Sequence, residues 1–263
     1  MMGKIYFDNA ASTPIHPEVI EKMTQVMQLN YGNPSSTHHL GRESKVIIES
    51  ARKIISKELN CFPKEIIFTS GGTEANNLIL RSAVQDLGVK RIITQSIEHK
   101  CVLETILDLS KKHHTIVEVL PVNSKGIFNW EDLEQRLKST RVKTLVSLIH
   151  GNNEIANLID LEKITQLCHE NEALFHSDTV QTIGHYFFDL KKLPIDFLTC
   201  SAHKMHGPKG VGFAFVRKSL KIHAVTTGGN QERKMRAGTE NIYGIAGLAK
   251  AFEMAYENLN KNK

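Results

Sequence analysis

The stretch Glu65-Ile66-Ile67-Phe68-Thr69-Ser70-Gly71-Gly72-Thr73-Glu74-Ala75-Asn76-Asn77 decides the fold class. A short β-branched and aromatic run reads as a strand over Glu65–Thr69, and the glycines that follow mark a tight turn. The next residues read as a helix over Thr73–Leu87. Strand, glycine turn and helix in this order are the first half of a unit in which helices cover a sheet.

The same alternation extends in both directions. Further strands are predicted at Arg91–Gln95, Thr115–Val119, Lys143–Ile149, Ala173–Ser177, Ile195–Cys200 and Val211–Val216. Helices are predicted at Gly41–Leu59, His99–Lys112, Trp130–Lys138, Leu161–Asn171 and Ile242–Leu259. Within Gly41–Leu59 the apolar residues Ile47, Ala51, Ile54 and Ile55 recur at three- and four-residue intervals, so one face can pack on a sheet. Ile245, Leu248, Ala249, Phe252 and Tyr256 do the same near the end. The expected class is α/β, with a mostly parallel sheet sandwiched by helices.

Composition narrows the function classes. With 263 residues, 41% apolar and 23% charged, the chain can bury a substantial core. It has no apolar run long enough to cross a bilayer, so no membrane span is expected. Met1 to Asp8 carries no apolar signal core, and a cytoplasmic location is expected. The formal charge of +5 is scattered rather than gathered into a stripe, and aromatics are only 6%, which argues against direct nucleic-acid binding. The four cysteines, Cys61, Cys101, Cys168 and Cys200, form no C-x-x-C pair, and the histidines lack a third ligand in spacing, so neither metal site nor disulfide framework is expected.

In open parallel sheets, ligands sit beyond the carboxyl ends of the strands, so polar residues there are the candidates for chemistry. Gly71-Gly72-Thr73 opens a helix whose free N–H groups favour a phosphate; an ordinary strand-to-helix turn reads the same way. Asp178 ends a strand, with Gln181 three residues on. Its carboxylate suits a protonated ring nitrogen, or equally the cap of the next turn. Lys204, among Ser201, His203 and His206 after another strand, is a candidate for a Schiff base with an aldehyde cofactor, although a loop lysine is more often solvated. His99 suits ring stacking and proton transfer, or capping.

These residues sit inside motifs that together resemble the NifS/IscS-like cysteine desulfurases, class V members of the fold-type-I pyridoxal-phosphate enzymes. The resemblance runs from Tyr6-Phe7-Asp8-Asn9-Ala10-Ala11-Ser12-Thr13-Pro14 and Gly32-Asn33-Pro34-Ser35-Ser36 through the glycine turn to Glu98-His99-Lys100 and Asn152-Asn153-Glu154-Ile155. It continues in Ser201-Ala202-His203-Lys204, Gly207-Pro208-Lys209-Gly210 and Arg236-Ala237-Gly238-Thr239-Glu240-Asn241. Gly151 and Asn230 depart from the usual pattern.

The resemblance implies pyridoxal 5'-phosphate as cofactor, with Lys204 bonded to it and His99 stacked on its ring. It implies Asp178 at the ring nitrogen, Gln181 and Asn153 near the phenolic oxygen, and Gly72, Thr73, Ser201 and His203 on the phosphate. Thr239 is implied to reach the phosphate of a neighbouring subunit, hence a homodimer. The implied reaction takes sulfur from L-cysteine, giving alanine and a persulfide for iron–sulfur cluster assembly or tRNA thiolation, with a sulfur-acceptor or scaffold protein as partner. Residues 14–260 are then expected to form the cofactor-binding large domain, and residues 1–13 to join a small domain that is otherwise largely absent. The family's catalytic cysteine and substrate-binding arginine lie C-terminal to the matched part, and the chain is expected to stop before them. A non-catalytic cofactor-binding fragment or pseudoenzyme, or a related lyase such as selenocysteine lyase, is the alternative.

Overall fold

In a computed structural model the described residues are 5–261, with the side chain of Asn260 left aside. Residues 1–4 of the expected N-terminal segment therefore lie outside them. Seven strands form one sheet in the order β1-β7-β6-β5-β4-β2-β3. They are β1 (Ile66–Thr69), β2 (Arg91–Gln95), β3 (Ile116–Leu120), β4 (Thr144–Ser147), β5 (Leu174–Asp178), β6 (Phe197–Ser201) and β7 (Gly212–Val216). Pairing is parallel from β3 to β6, and β7 runs antiparallel to both β6 and β1. All seven predicted strands are present. β4 is shorter than expected, but Leu148 N and His150 N still donate to His176 O and Asp178 O of the neighbouring strand β5 at 3.1 and 3.0 Å.

Among the described residues seven α-helices cover the sheet: α1 (Pro17–Leu29), α2 (His39–Glu58), α3 (Gly72–Gln85), α4 (Lys100–His113), α5 (Trp130–Lys138), α6 (Leu161–Glu170) and α7 (Ile242–Lys261). Alternation along the strands decides which helices each face meets. Ile66, Phe68, Phe213 and Phe215 point into a core shared with α1, α2, α5, α6 and α7, where Val19, Ile55, Leu133, Ile164 and Phe252 are buried. Ile67, Ala214 and Val216 point the other way, onto Ile79, Leu80, Val102 and Ile106 of α3 and α4. Burying each such side chain stabilises the fold by roughly 1.5–3 kcal/mol. Helix α1 was not predicted. Pro17 at its first turn and the His16 side chain, which accepts from Glu18 N, start it, and only Val19 and Val26 are fully buried along it.

Two local features bring the strand ends together. Gly212 pairs with Thr69 of β1 and Ser201 of β6, so one residue lies between both ends. A Cβ there would stand 2.2 Å from Cys200 O and 2.9 Å from Gly71 Cα, which only glycine avoids. On the outer side of β1, Glu232 closes the sheet edge. Its Oε2 accepts from Phe68 N at 2.8 Å, and both its oxygens bind the buried Arg52 guanidinium, at 2.8 and 3.0 Å. Removing one partner of such a buried pair typically costs about 3–5 kcal/mol. The pair holds three successive non-glycine residues, Glu232, Arg233 and Lys234, at φ of 43°, 57° and 70°, a conformation that persists only where the surroundings enforce it.

Candidate active site

The carboxyl ends of β1, β2, β4, β5 and β6 open onto one cleft of about 630 Å3. The topology explains the convergence: β1 and β6 point the same way on either side of the antiparallel β7, so their C-termini face the same edge as those of β2, β4 and β5. Lys204, His99, Gly72, Thr73, Asn153, Asp178, Gln181, Ser201 and His203 all line this cleft. Thr239 does not. It lines a small separate hollow of about 70 Å3 with Ser70, Gly210 and Arg236 on the far side of the glycine turn.

The turn itself is built by Gly71, whose φ of 151° excludes most side chains, followed by the first turn of α3. Glu74 ties it down, accepting from Ser70 N at 2.7 Å and from Arg236 Nε at 2.8 Å. The second contact joins the turn to the Arg236–Asn241 segment. No side chain caps α3, which leaves its leading N–H groups to an anion.

Lys204 ends a short 3-10 turn, Ala202–Lys204, directly after β6. Its Nζ donates to the carbonyls of Ala10 and of Ala11, the latter at 3.0 Å. Burial lowers the ammonium's pKa from its ordinary value, against the pull of Asp178 and Asp8. The N-terminal segment thus reaches into the cleft rather than away from it. Thr13 N donates to His203 O at 2.9 Å, and Gln181 Nε2 donates to Ala10 O at 2.9 Å. His203 is likewise lowered, by burial and then by the charges of Lys204 and Lys209. Asn153 Nδ2 donates to Glu154 Oε1 at 2.7 Å at the cleft rim.

His99 caps α4, its Nδ1 accepting from Cys101 N at 3.1 Å, and its ring also lines the cleft. Neighbouring Glu98 is buried, its Oε1 accepting from Gln95 Nε2 at 3.0 Å and from Ile149 N, and burial pushes its carboxyl up to about 8.

Three polar residues that sequence reasoning gave no role lie beneath Asp178. Asn76 Nδ2 donates to Asp178 Oδ2 at 2.7 Å, His176 Nε2 stands 3.0 Å from Asn76 Oδ1, and Ser147 Oγ stands 2.9 Å from His176 Nδ1. Val180 N donates to the other carboxylate oxygen at 3.0 Å. The only trace in the sequence was the motif residue Asn76 itself, because its partners come from strands about a hundred residues away.

The cysteines are also now placed. Cys200 and Cys168 are buried in the core, and burial raises both. Burial pushes the Cys61 thiol up to about 12 and the Cys101 thiol up to about 11, with Asp178 adding to the latter. Cys101 nevertheless lines the cleft, with Sγ 3.0 Å from His99 Nδ1 and 3.3 Å from Asn76 Nδ2. None of the four thiols is held as the thiolate that a nucleophile requires.

The donors divide into an amine, a carboxylate, and a hydroxyl, imidazole and glycine turn at a helix start. That set suits a phosphorylated aldehyde carrying a basic ring nitrogen. Residues 5–263 match the family described as "Aminotransferase class-V". The chain belongs to that family. It is 42% identical over 263 residues to the cysteine desulfurase IscS of Dictyoglomus turgidum, covering 99% of this chain and 66% of that protein. It is 42% identical over 261 residues to the cysteine desulfurase IscS of Methanosarcina thermophila, covering 98% of this chain and 64% of that one. Among solved structures, a NifS-like protein superposes with a TM-score of 0.93 at 42% identity, covering 98% of this chain and 71% of its own. A NifS-like protein from Rickettsia africae gives 0.90 at 35% identity, over 98% and 71%. The chain thus spans just under two thirds of the length of these curated relatives.

Proposed function

We propose that residues 14–260 form the pyridoxal-phosphate-binding unit of a cysteine desulfurase that takes sulfur from L-cysteine for transfer to an acceptor protein. The observation that carries this reading is the convergence of Lys204, Asp178, His99 and the Gly71–Thr73 turn on one cleft. When bound there, pyridoxal phosphate supplies an aldehyde for imine exchange with an amino acid and an electron-withdrawing ring. Gly72, Thr73, Ser201 and His203 would hold its phosphate, Asp178 its ring nitrogen, and Gln181 and Asn153 its phenolic oxygen.

The residues' own contributions follow from their surroundings. Partial burial favours the free amine of Lys204, the form that attacks an aldehyde and that accepts a proton. His99, held by the Cys101 N–H, presents its ring to the cleft and suits stacking and proton movement. Asp178 is fixed at both oxygens, so its charge stays aimed without reorganisation. Thr239, across the turn from the cleft, suits a contact with a second copy's phosphate, and hence a homodimer.

A second reading, cofactor binding without desulfuration by this stretch, draws on the raised thiols of all four cysteines. Incubating the chain with pyridoxal phosphate and L-cysteine and assaying alanine and sulfide separates the two. Cofactor uptake without alanine or sulfide is the result expected of the second reading, and stoichiometric turnover would eliminate it.

A further inference from the structure

Asp178 Oδ2 is an acceptor, so Asn76 must turn its NH2 group toward it at 2.7 Å. The amide oxygen then faces His176 Nε2 at 3.0 Å, and two acceptors cannot share that contact, so Nε2 carries the ring proton. Nδ1 is left with its lone pair, and the Ser147 hydroxyl donates to it across 2.9 Å. One end of the chain thereby sets the direction of every bond in it. The remaining Asn76 proton points to Cys101 Sγ at 3.3 Å, and that sulfur lies 3.0 Å from His99 Nδ1. Ser147, Asn76 and His176 are all fully buried, and burial takes His176 down to about 3, which keeps its ring in a neutral tautomer. The register supports the same arrangement, since Ser147 and His176 are paired residues of β4 and β5.

We propose that Asn76 and His176 are positioning residues: a buried, one-directional hydrogen-bond chain from Ser147 that aims the Asp178 carboxylate and, through Cys101, ties its position to that of His99. The proposal rests on the reading of the cleft as a pyridoxal-phosphate site. It goes beyond that reading by assigning the aim of the carboxylate to residues that never touch the ligand. Asn76 is the hub because it alone bonds to Asp178, His176 and Cys101.

Two measurements test it. In the ligand-free chain at neutral pH, nitrogen NMR of the His176 ring is expected to show a pyrrole-type Nε2 and a pyridine-type Nδ1; the opposite tautomer would overturn the chain's direction. Binding of pyridoxal phosphate, followed by absorbance, is expected to weaken by at least about tenfold in Asn76→Asp, which loses the donor to Asp178 while keeping its size. His176→Gln keeps a donor toward Asn76 Oδ1 and is expected to stay within about threefold of the parent chain, whereas His176→Asn, whose amide is one carbon too short to reach that oxygen, is expected to follow Asn76→Asp. Thermal unfolding of each variant establishes that it is folded. A folded Asn76→Asp that binds like the parent would overturn the proposal alone; a parent chain that binds no pyridoxal phosphate would overturn the underlying reading.

Discussion

The groove bounded by α1, α2 and α7 encloses about 900 Å3, against about 630 Å3 for the cleft at the strand ends, and the larger hollow holds the simpler chemistry. The groove is walled by helix faces, with Ile47 and Ile54 partly buried in it, Val46 exposed and ordinary charges at its rim. Lys250 there pairs with Glu18 at 3.1 Å and Glu253 at 3.6 Å, contacts of the solvated kind that contribute little. In the cleft, five strands end on one side and deliver an amine, a carboxylate, imidazoles and a bare helix start within one small volume. The difference lies in what feeds each hollow. Helix faces present side chains already chosen for packing or solvation, whereas strand ends release the chain into loops whose polar groups are free to converge.

The contrast breaks most visibly at Lys204. In Lys204→Ala the visible absorption band expected from a lysine-bound pyridoxal phosphate should vanish, while Val46→Asp in the groove should leave it intact. A smaller effect is expected from pH. The His203 pKa is lowered by burial and its lysine neighbours, and a bound phosphate would raise it again, so the complex takes up a proton that the free chain does not hold. Affinity for pyridoxal phosphate should therefore rise as pH falls through the ordinary imidazole range. In His203→Gln, part of that dependence should be lost, as read by titrations at several pH values.

The next effect is on stability rather than binding. Burial raises Glu98 to about 8 from an ordinary 4.5, so between these values the folded chain holds a proton that the unfolded chain has released. Stability should fall as pH rises across that window and level off above it. Glu98→Gln should flatten the slope, raising Tm more at pH 8 than at pH 5. The smallest effect is expected for Val46→Asp, exposed at the groove, where the change in stability should stay within about 0.5 kcal/mol.

The layout of sheet and helices could be read in the sequence because each element states its own period. The β-branched run at Arg91–Gln95 and the three- and four-residue spacing within α2 needed no distant partner to be recognised. Helix α1 was missed although Val19, Met23 and Val26 recur at three- and four-residue intervals and Pro17 opens it, so its signal was present in the sequence. The reversed direction of β7 was not legible, since a strand's pattern records which faces are buried and not which way its neighbours run. Likewise, the residues that line the cleft were legible as polar groups after strands, and the Ser147–His176–Asn76 chain and its link to Cys101 were not. Their roles come from contacts between α3, α4, β4 and β5 that exist only once the sheet is assembled.

The most direct measurement is covalent mapping. The chain would be incubated with pyridoxal phosphate, reduced with borohydride to trap any lysine adduct, and digested for peptide mass spectrometry. The expected result is one phosphopyridoxyl group per chain, on the peptide carrying Lys204. Label spread over surface lysines such as Lys22 and Lys250 of the groove, with Lys204 unmodified, would contradict the assignment of the cleft.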